Sequence, residues 1–449
     1  MRKILIFIYF QFIVAFTAML FAQVDKVTIA ADDAGQWQLK VNNENYYIKG
    51  GGGTVHLDVL KSCGGNTIRT WGIENAQEIL DAAQKMNMKV MLGLWVQHER
   101  HGFDYDNTEK IAAQLESFRL AVRKYKNHPA LLLWGVGNEY ELEYSNTKVW
   151  AAVNDIAKMV KEEDPNHPTS TVTAGTNPEK LKFIKEVMSA VDIYGINTYG
   201  DIEGVEKVLK DGQYQGPYMI TEWGPNGHWE SPKTKWGTSI EQTSTEKAKV
   251  YLDRYQKCIA GQGKQCIGSF AFLWGQKQEY THTWYGLFND AGMPTEAIDA
   301  LEFDFTGKYP ENRSPSVDSL HFNGQILVKN VIMNSKEKYD FEVFAKDLNQ
   351  DKLSYEWELY PESTDLKSGG DAEAKPTLIP GKLKGKNSST VQVIAPNSEG
   401  RYRLFVTVSD GKKIAYLNVP FYVQYDANSS ANAKSIQFKK QDLKSFDEE

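Results

Sequence analysis

Two glutamates stand where apolar runs end. Glu139 follows LLLWGVGN, and Glu222 lies in PYMITEWG. A facing pair of carboxyl groups is the minimal apparatus for cleaving an acetal. One must be protonated to release the leaving oxygen, and the other ionised to attack the anomeric carbon. A gap of about 5–5.5 Å between them gives retention of configuration, and a wider gap admits water and gives inversion. Either motif alone is a weak signal, because a Glu just past a strand also caps helices or faces solvent.

The elements that must position them follow from the hydrophobic pattern. Eight short apolar runs recur, each ending in polar or aromatic residues: YYIKGGGG, NTIRTWG, KVMLGLWV, LLLWGVGNE, TSTVTAG, VDIYGINTY, PYMITEWG and GSFAFLWG. Between them, stretches such as 75–86, 109–125, 148–161 and 245–259 carry apolar residues at three- and four-residue spacing, the signature of amphipathic helices. Pro178 sits where a helix N-terminus tolerates it. Continuous apolar strands alternating with helices predict a parallel sheet covered by helices. Eight units predict a closed (β/α)8 barrel over residues 23–307. The alternative is a doubly wound sheet, but no phosphate loop follows an early strand, and the Gly run at 50–53 lacks a dinucleotide fingerprint's spacing. Barrel active sites lie at the C-terminal ends of the strands. Glu139 and Glu222 therefore close strands four and seven, on opposite sides of one mouth.

With these residues in place, the chain resembles clan A of the glycoside hydrolases, retaining enzymes on such barrels. The resemblance covers residues 46–305. It rests on Gly137-Asn138-Glu139 after strand four and on ITEWG at 220–224 after strand seven. It implies that Glu139 is the acid/base and Glu222 the nucleophile, and that Asn138 donates to the sugar 2-hydroxyl. Arg69 in NTIRTWG resembles the Arg that keeps the nucleophile ionised. Tyr199 in GINTY resembles its Tyr partner, and Trp274 resembles the ring flooring the subsite of the reacting sugar. The layout, a barrel followed by a sandwich, looks like that of bacterial endo-β-1,3-glucanases acting on laminarin-type glucan. β-Mannanase, exo-β-glycosidase and transglycosylase chemistry use the same pair. A non-catalytic carbohydrate-binding protein on a retired barrel would have lost one Glu or the Arg, and all are kept.

Other residues are candidates from position alone. His98 in GLWVQHER reads as a loop ligand for a sugar hydroxyl or as a solvated histidine; His101 and His228 are weaker versions of the same idea. Trp71, Trp95, Trp229 and Trp284 read as subsite walls or as packing rings. Glu141 and Glu143 read as solvated loop charges.

The rest of the chain bounds the setting. It has 449 residues with 11 Trp. Arg2 and Lys3 precede an apolar run to Phe21 and a small residue, Ala22, which reads as a signal peptide over 1–22. A secreted or periplasmic protein is expected, with no membrane span after cleavage. Removing that leader changes the net charge from −7 to −9 (−7 − 2). An acidic chain suits a neutral oligo- or polysaccharide partner and disfavours nucleic acid. The expected assembly is a monomer. Cys258 and Cys266 flank a GQG turn and could be bridged or stand as separate thiols. No cofactor is implied, and no Cys/His cluster has zinc spacing. Residues 308–315 read as a linker. Period-two runs over 316–425 predict an immunoglobulin-like β-sandwich, and 426–449 reads as a polar tail. Within the sandwich, Asp347, Asn349 and Asp351 alternate oxygen ligands, as calcium loops do, but no Glu completes the set and an Asx-rich turn is the expectation.

Overall fold

A computed structural model describes residues 24–260, 263–327 and 329–425. The leader at 1–22 and the tail at 426–449 lie outside the described residues. A small antiparallel sheet opens the chain: β1 (Val27–Ala31), β2 (Trp37–Val41) and β3 (Glu44–Asn45). Its Val27 and Leu39 pack on Ile48, Leu132, Ile193, Met219 and Ile267, which begin the barrel strands. The sheet thus seals the end of the barrel remote from the two glutamates.

The barrel strands are β4 (Ile48–Gly52), β5 (Thr67–Arg69), β6 (Lys89–Leu94), β7 (Leu131–Asn138), β8 (Thr169–Ala174), β9 (Ile193–Asn197), β10 (Tyr218–Trp223) and β11 (Cys266–Ala271). All pair in parallel, and β11 pairs with β4 to close the ring. Both faces of the strands are covered, which is why they read as unbroken apolar runs. The covering helices are α1 (Leu57–Ser62), α2 (Ala76–Lys85), α3 (Thr108–Tyr125), α4 (Lys148–Glu163), α5 (Pro178–Glu186), α6 (Val205–Asp211), α7 (Ser244–Arg254) and α8 (Glu296–Thr306). Local chemistry starts several of them. Asn107 and Asn177 accept from the backbone N–H of Lys110 and Lys180, and Thr243 with Glu246 forms a capping box.

The glycine run on β4 has a packing cause. A Cβ on Gly50 would stand 2.4 Å from the Phe270 ring, and one on Gly51 would stand 2.8 Å from the Trp274 ring. At Gly53 it would meet the Trp274 carbonyl oxygen at 2.1 Å, with φ at +146°. The bare edge of β4 is the space into which the chain after β11 folds.

The C-terminal part is a sandwich of two sheets. Its strands are β12 (Ser316–Phe322), β13 (Gln325–Ile326), β14 (Val331–Asn334), β15 (Lys338–Lys346), β16 (Ser354–Pro361), β17 (Leu383–Lys384), β18 (Thr390–Ile394), β19 (Gly400–Ser409) and β20 (Ile414–Gln424). One sheet runs β13-β12-β15-β18-β17 and the other β14-β20-β19-β16. Phe341, Val393, Trp357, Leu404 and Phe421 fill the space between them. β20 is buried on both faces for most of its length, because its second face packs on α7. The join is polar and buried. Lys247 of α7 donates to Glu241 at 2.6 Å and to the Tyr416 hydroxyl at 3.1 Å. Arg403 of β19 donates to the Ser239 carbonyl at 2.9 Å and to Asn418 at 2.7 Å.

Two smaller expectations are settled here. Cys63, Cys258 and Cys266 are separate buried thiols. Asp347 Oδ1 accepts from the N–H groups of Asn349 and Asp351 at 2.8 and 3.0 Å, the Asx turn expected there. No described helix is long and apolar enough to cross a membrane.

The glycine account is testable by denaturant unfolding. Gly53→Ala should cost about 3 kcal/mol or more, combining overpacking with an unfavourable φ. Gly204→Ala, where no atom lies within 4 Å of the added Cβ, should stay within about 0.5 kcal/mol of the parent.

Candidate active site

β5 ends on Arg69, whose side chain is buried under the barrel mouth. Its Nη1 donates to Glu222 Oε1 at 3.0 Å and to the Thr221 carbonyl at 2.7 Å. Its Nη2 donates to Asn138 Oδ1 at 2.5 Å. A buried guanidinium with such acceptors ties together the ends of β5, β7 and β10. Burial pushes its pKa down, against the opposing pull of Glu222 and Glu139. Two further donors reach the same carboxylate: Trp71 Nε1 to Oε1 at 2.8 Å, and the Tyr199 hydroxyl to Oε2 at 3.0 Å. An acceptor-only carboxylate is the form that three donors fit.

Glu139 is built differently. At the end of β7 the chain turns through Gly137, at φ +77°, and Glu139 itself has φ +47°. A non-glycine residue there is strained by roughly 1–3 kcal/mol, a feature that clusters at functional sites. The carboxyl lines the mouth cavity and accepts from Asn197 Nδ2 at 2.8 Å. Burial holds it well above the usual carboxylate range, and the nearby charge of Glu222 adds to that. Asn138 Oδ1 faces Arg69 and Asn197 Nδ2, which leaves its NH₂ group to donate to a ligand. The cavity over these groups measures about 720 Å³, within the range of small-ligand sites.

The structure brings together Arg69, Trp71, Asn138, Glu139, Tyr199 and Glu222, with Trp95 on the cavity wall. Two expected site residues are displaced. Trp274 is fully buried; its indole donates to the His56 carbonyl and packs against Phe288 and the bare glycines of β4. β11 ends at Ala271, and the cavity lining that follows is Phe272 and Leu273, joined by a cis peptide bond. The ring facing the site from this strand is therefore Phe272. His98 is also buried. It stacks on Trp95 at 4.6 Å, accepts from Arg100 Nε at 3.1 Å, and is lowered to about 4, mainly by burial. It supports the Trp95 wall and does not reach the cavity.

Of the weaker readings one changes, and the structure decides between the alternatives for the others. Glu141 is buried, accepting from Ala174 N–H at 2.8 Å and pairing with Lys180 at 2.9 Å. Glu143 is exposed at the cavity rim. Trp229 lines the cavity and is 55% exposed, whereas Trp284 is buried. Of the residues that sequence reasoning missed, Asn197 had a signal, standing two places before Tyr199 at a strand end. Glu279 and residues 367–371, which also line the cavity, had none. Among the described residues, the one cluster spaced to hold a metal ion is Asp347, Asp351 and Asp410 in the sandwich. None of the three lines the cavity.

Residues 57–290, more than half of the chain, match the glycosyl hydrolases family 2 TIM barrel domain. The chain belongs to this family. The family 2 barrel is a clan A barrel. The β-D-glucuronidase of Dictyoglomus thermophilum is similar over 64% of this chain and 54% of its own, with 18% identity and TM-score 0.50. Bacteroides uniformis β-glucuronidase is similar over 89% and 48%, with 16% identity and TM-score 0.49. At these identities the likeness is one of fold. The chain spans about half the length of these solved structures. No curated protein matches it in sequence.

The raised Glu139 carboxyl of this family 2 barrel has a stability consequence. Because its folded pKa lies above its unfolded one, folding loses stability as pH rises from the unfolded value through the folded one. Glu139→Gln, neutral throughout, should therefore gain in Tm over the parent at alkaline pH. The two should melt alike near pH 4, which a thermal-melt series from pH 4 to 9 would read.

Proposed function

We propose that this chain hydrolyses β-linked glycosides of neutral sugars with retention of configuration. Glu222 attacks the anomeric carbon while Glu139 gives its proton to the departing oxygen. Glu139 then takes a proton from water, which displaces Glu222 from the glycosyl-enzyme. The observation that carries this reading is the contrast between the two carboxyl environments. Three donors, one of them cationic, converge on Glu222, whereas Glu139 is buried with a single amide donor. A buried carboxyl that keeps its proton, beside a second one held in place by several donors, is how one site can hold both an acid and a nucleophile. Retention is the outcome that clan A membership supports.

The charge of the cavity bears on the substrate. Beside the catalytic pair, Glu143, Asp201, Glu230, Glu279 and Asp371 line it, against Lys277 and Lys367. Both lysines are already engaged: Lys277 pairs with Glu279 at 2.8 Å, and Lys367 donates to the Ala372 carbonyl at 2.5 Å. Glu279 and Asp371 are likewise paired, with Lys277 and with Arg100 and His101, so a uronate would meet chiefly Glu143, Asp201 and Glu230, and a neutral glycosyl unit is favoured. A β-1,3-glucan of laminarin type, suggested by the layout of barrel and sandwich, is the substrate we carry forward. A secreted or periplasmic monomer, placed there by the apolar leader, is part of the same reading.

A panel of 4-nitrophenyl β-glycosides tests it. The β-glucoside should be turned over, and the β-glucuronide should lag by at least tenfold, about 1.4 kcal/mol. Glu222→Gln should fold and lose at least about 10⁴-fold in kcat. Glu139→Ala should lose about 10²–10⁴-fold on poor leaving groups, and with a good leaving group, where displacement of Glu222 limits turnover, azide should rescue it as a β-glycosyl azide. An α-configured azide product would reject retention.

The pH profile has a defined sign. Glu139 must be protonated to act, so kcat/KM should fall on the alkaline side as that carboxyl ionises. For an aryl glycoside whose leaving group needs no proton, Glu139→Gln should abolish the alkaline limb. Persistence of that limb in the variant would assign it to another group.

A further inference from the structure

Glu222 carries its donors unequally. An ionised carboxylate offers two acceptor sites on each oxygen. Both sites of Oε1 are taken, by Arg69 Nη1 at 3.0 Å and by Trp71 Nε1 at 2.8 Å. Among the described residues, Oε2 accepts from the Tyr199 hydroxyl alone, at 3.0 Å. Three of four sites are filled, and the lone pair left to meet carbon is on Oε2. The donors also differ in kind. An indole N–H is a donor only, whereas a phenol hydroxyl can donate or accept.

Trp71 is mounted to stay in place. Thr70 Oγ1 donates to the Gly72 carbonyl at 2.9 Å and accepts from the Gly93 N–H at 3.0 Å, which clasps the turn that carries the indole. Phe272 meets the ring nearly at a right angle, with centroids 6.0 Å apart. The Arg69 guanidinium lies over the ring, 5.2 Å from its centroid. A Cβ on Gly93 would come within 2.4 Å of the Trp71 backbone, so β6 makes room for this turn with a glycine.

We propose that Trp71 is a positioning residue whose indole N–H serves the second half of the reaction, the release of the sugar from Glu222. This rests on the retaining reading above. In the first half, Oε2 bonds to the anomeric carbon while the bond from that carbon to the leaving oxygen breaks, and Glu139 gives that oxygen its proton. Oε1 becomes the carbonyl oxygen of the ester and still faces Arg69 and Trp71. In the second half, a water oxygen bonds to the carbon and its proton passes to Glu139. The electron pair of the C–Oε2 bond returns to Glu222. A hydrogen bond to an ionised acceptor is roughly twice as strong as one to a neutral acceptor. The indole therefore stabilises the free carboxylate more than the ester. It holds back attack and favours departure, which keeps the glycosyl-enzyme from accumulating.

2,4-Dinitrophenyl 2-deoxy-2-fluoro-β-glucoside tests this, because it slows labelling and release enough to time each. Trp71→Phe keeps an aromatic ring and removes the N–H. Freed of excess reagent, the labelled variant should reactivate about tenfold more slowly than the parent, equivalent to about 1.4 kcal/mol. The ratio of reactivation to labelling rate constants should fall by at least as much. On 2,4-dinitrophenyl β-glucoside, kcat and KM should fall together, as a longer-lived intermediate requires. A merely structural role would slow both halves alike, and a ratio that does not fall in the folded variant would overturn the assignment. Thermal melts verify folding. A crystal structure of the labelled parent tests the same geometry without the variant. The ester should run through Oε2, with Oε1 within about 3.2 Å of Arg69 Nη1 and Trp71 Nε1. An ester through Oε1 would overturn the role of Trp71 and leave Glu222 as the nucleophile. A parent that takes no label on Glu222 would overturn the retaining reading and this inference with it.

Discussion

A guanidinium buried beneath the barrel mouth is the constraint on which the site depends. Burying Arg69 is costly unless its charge and its N–H groups find acceptors. The structure supplies Glu222, the Thr221 carbonyl and Asn138. Those partners come from β10 and β7, so satisfying one cation sets the relative position of three strand ends. The same bonds decide the chemistry. With Arg69, Trp71 and Tyr199 on Glu222, that carboxylate is held in one orientation for attack. Asn138 has its oxygen taken and its NH₂ group turned to the ligand. Asn197 then links Asn138 to Glu139, so Glu139 belongs to the same network as Glu222. Glu139 lacks a cationic donor of its own, and that omission is what lets burial hold its proton.

How much of this was legible depended on whether a residue's role is set by the chain near it. Glu139, Glu222, Asn138, Arg69 and Tyr199 all lie at or just past strand ends, where a parallel barrel must expose side chains. Counting apolar runs was enough to place them in one mouth. Trp274 was misplaced by two residues, because an apolar run ending in Phe-Leu-Trp does not show where the ladder stops and the chain turns. The deciding contact is with the glycines of β4, more than two hundred residues earlier in the chain. The glycine run was itself read only for what it lacked, a phosphate fingerprint. His98 was misread for a similar reason: its stacking on Trp95 and its bond to Arg100 depend on how a loop folds back, which periodicity does not report. Glu141 looked like a surface charge until Lys180, on α5, covered it. Residues 367–371 carry no motif, and only the docking of the sandwich brings them to the mouth.

That docking explains why a second domain can take part in the site at all. Interfaces between domains are often mobile, and a mobile segment would not give the cavity a fixed lining. Here the join buries the Lys247–Glu241 pair of the barrel and the Arg403–Glu362 pair of the sandwich, and Lys247, Glu241 and Arg403 also bond across the boundary. Separating the domains would take from Lys247, Glu241 and Arg403 the hydrogen-bond partners they have across the boundary, at about 1–3 kcal/mol for each buried group left unsatisfied. β20 shows the same commitment in its pattern. Its residues are apolar on both faces because one faces the sandwich core and the other α7. The sandwich is in this sense a continuation of the barrel's helical layer, and the segment between β16 and β17 is held from both ends.

The excess of carboxylates around the cavity acts on both catalysis and selectivity. Each nearby negative charge makes ionised Glu139 less favourable and so helps keep its proton at neutral pH. The same field opposes an anionic substrate and is indifferent to a neutral one. A sugar ring brings hydroxyl donors, and carboxylates are acceptors only, so hydroxyls can replace the water that satisfies the free rim. Phe272, Trp71 and Trp95 supply apolar faces for the ring's C–H surface. On the proposed reading, acceptors at the rim, rings on the walls and one protonated acid within would suit an uncharged glycoside. A uronate would forfeit part of that fit, because its carboxylate needs a donor where the lysines are already paired with the protein.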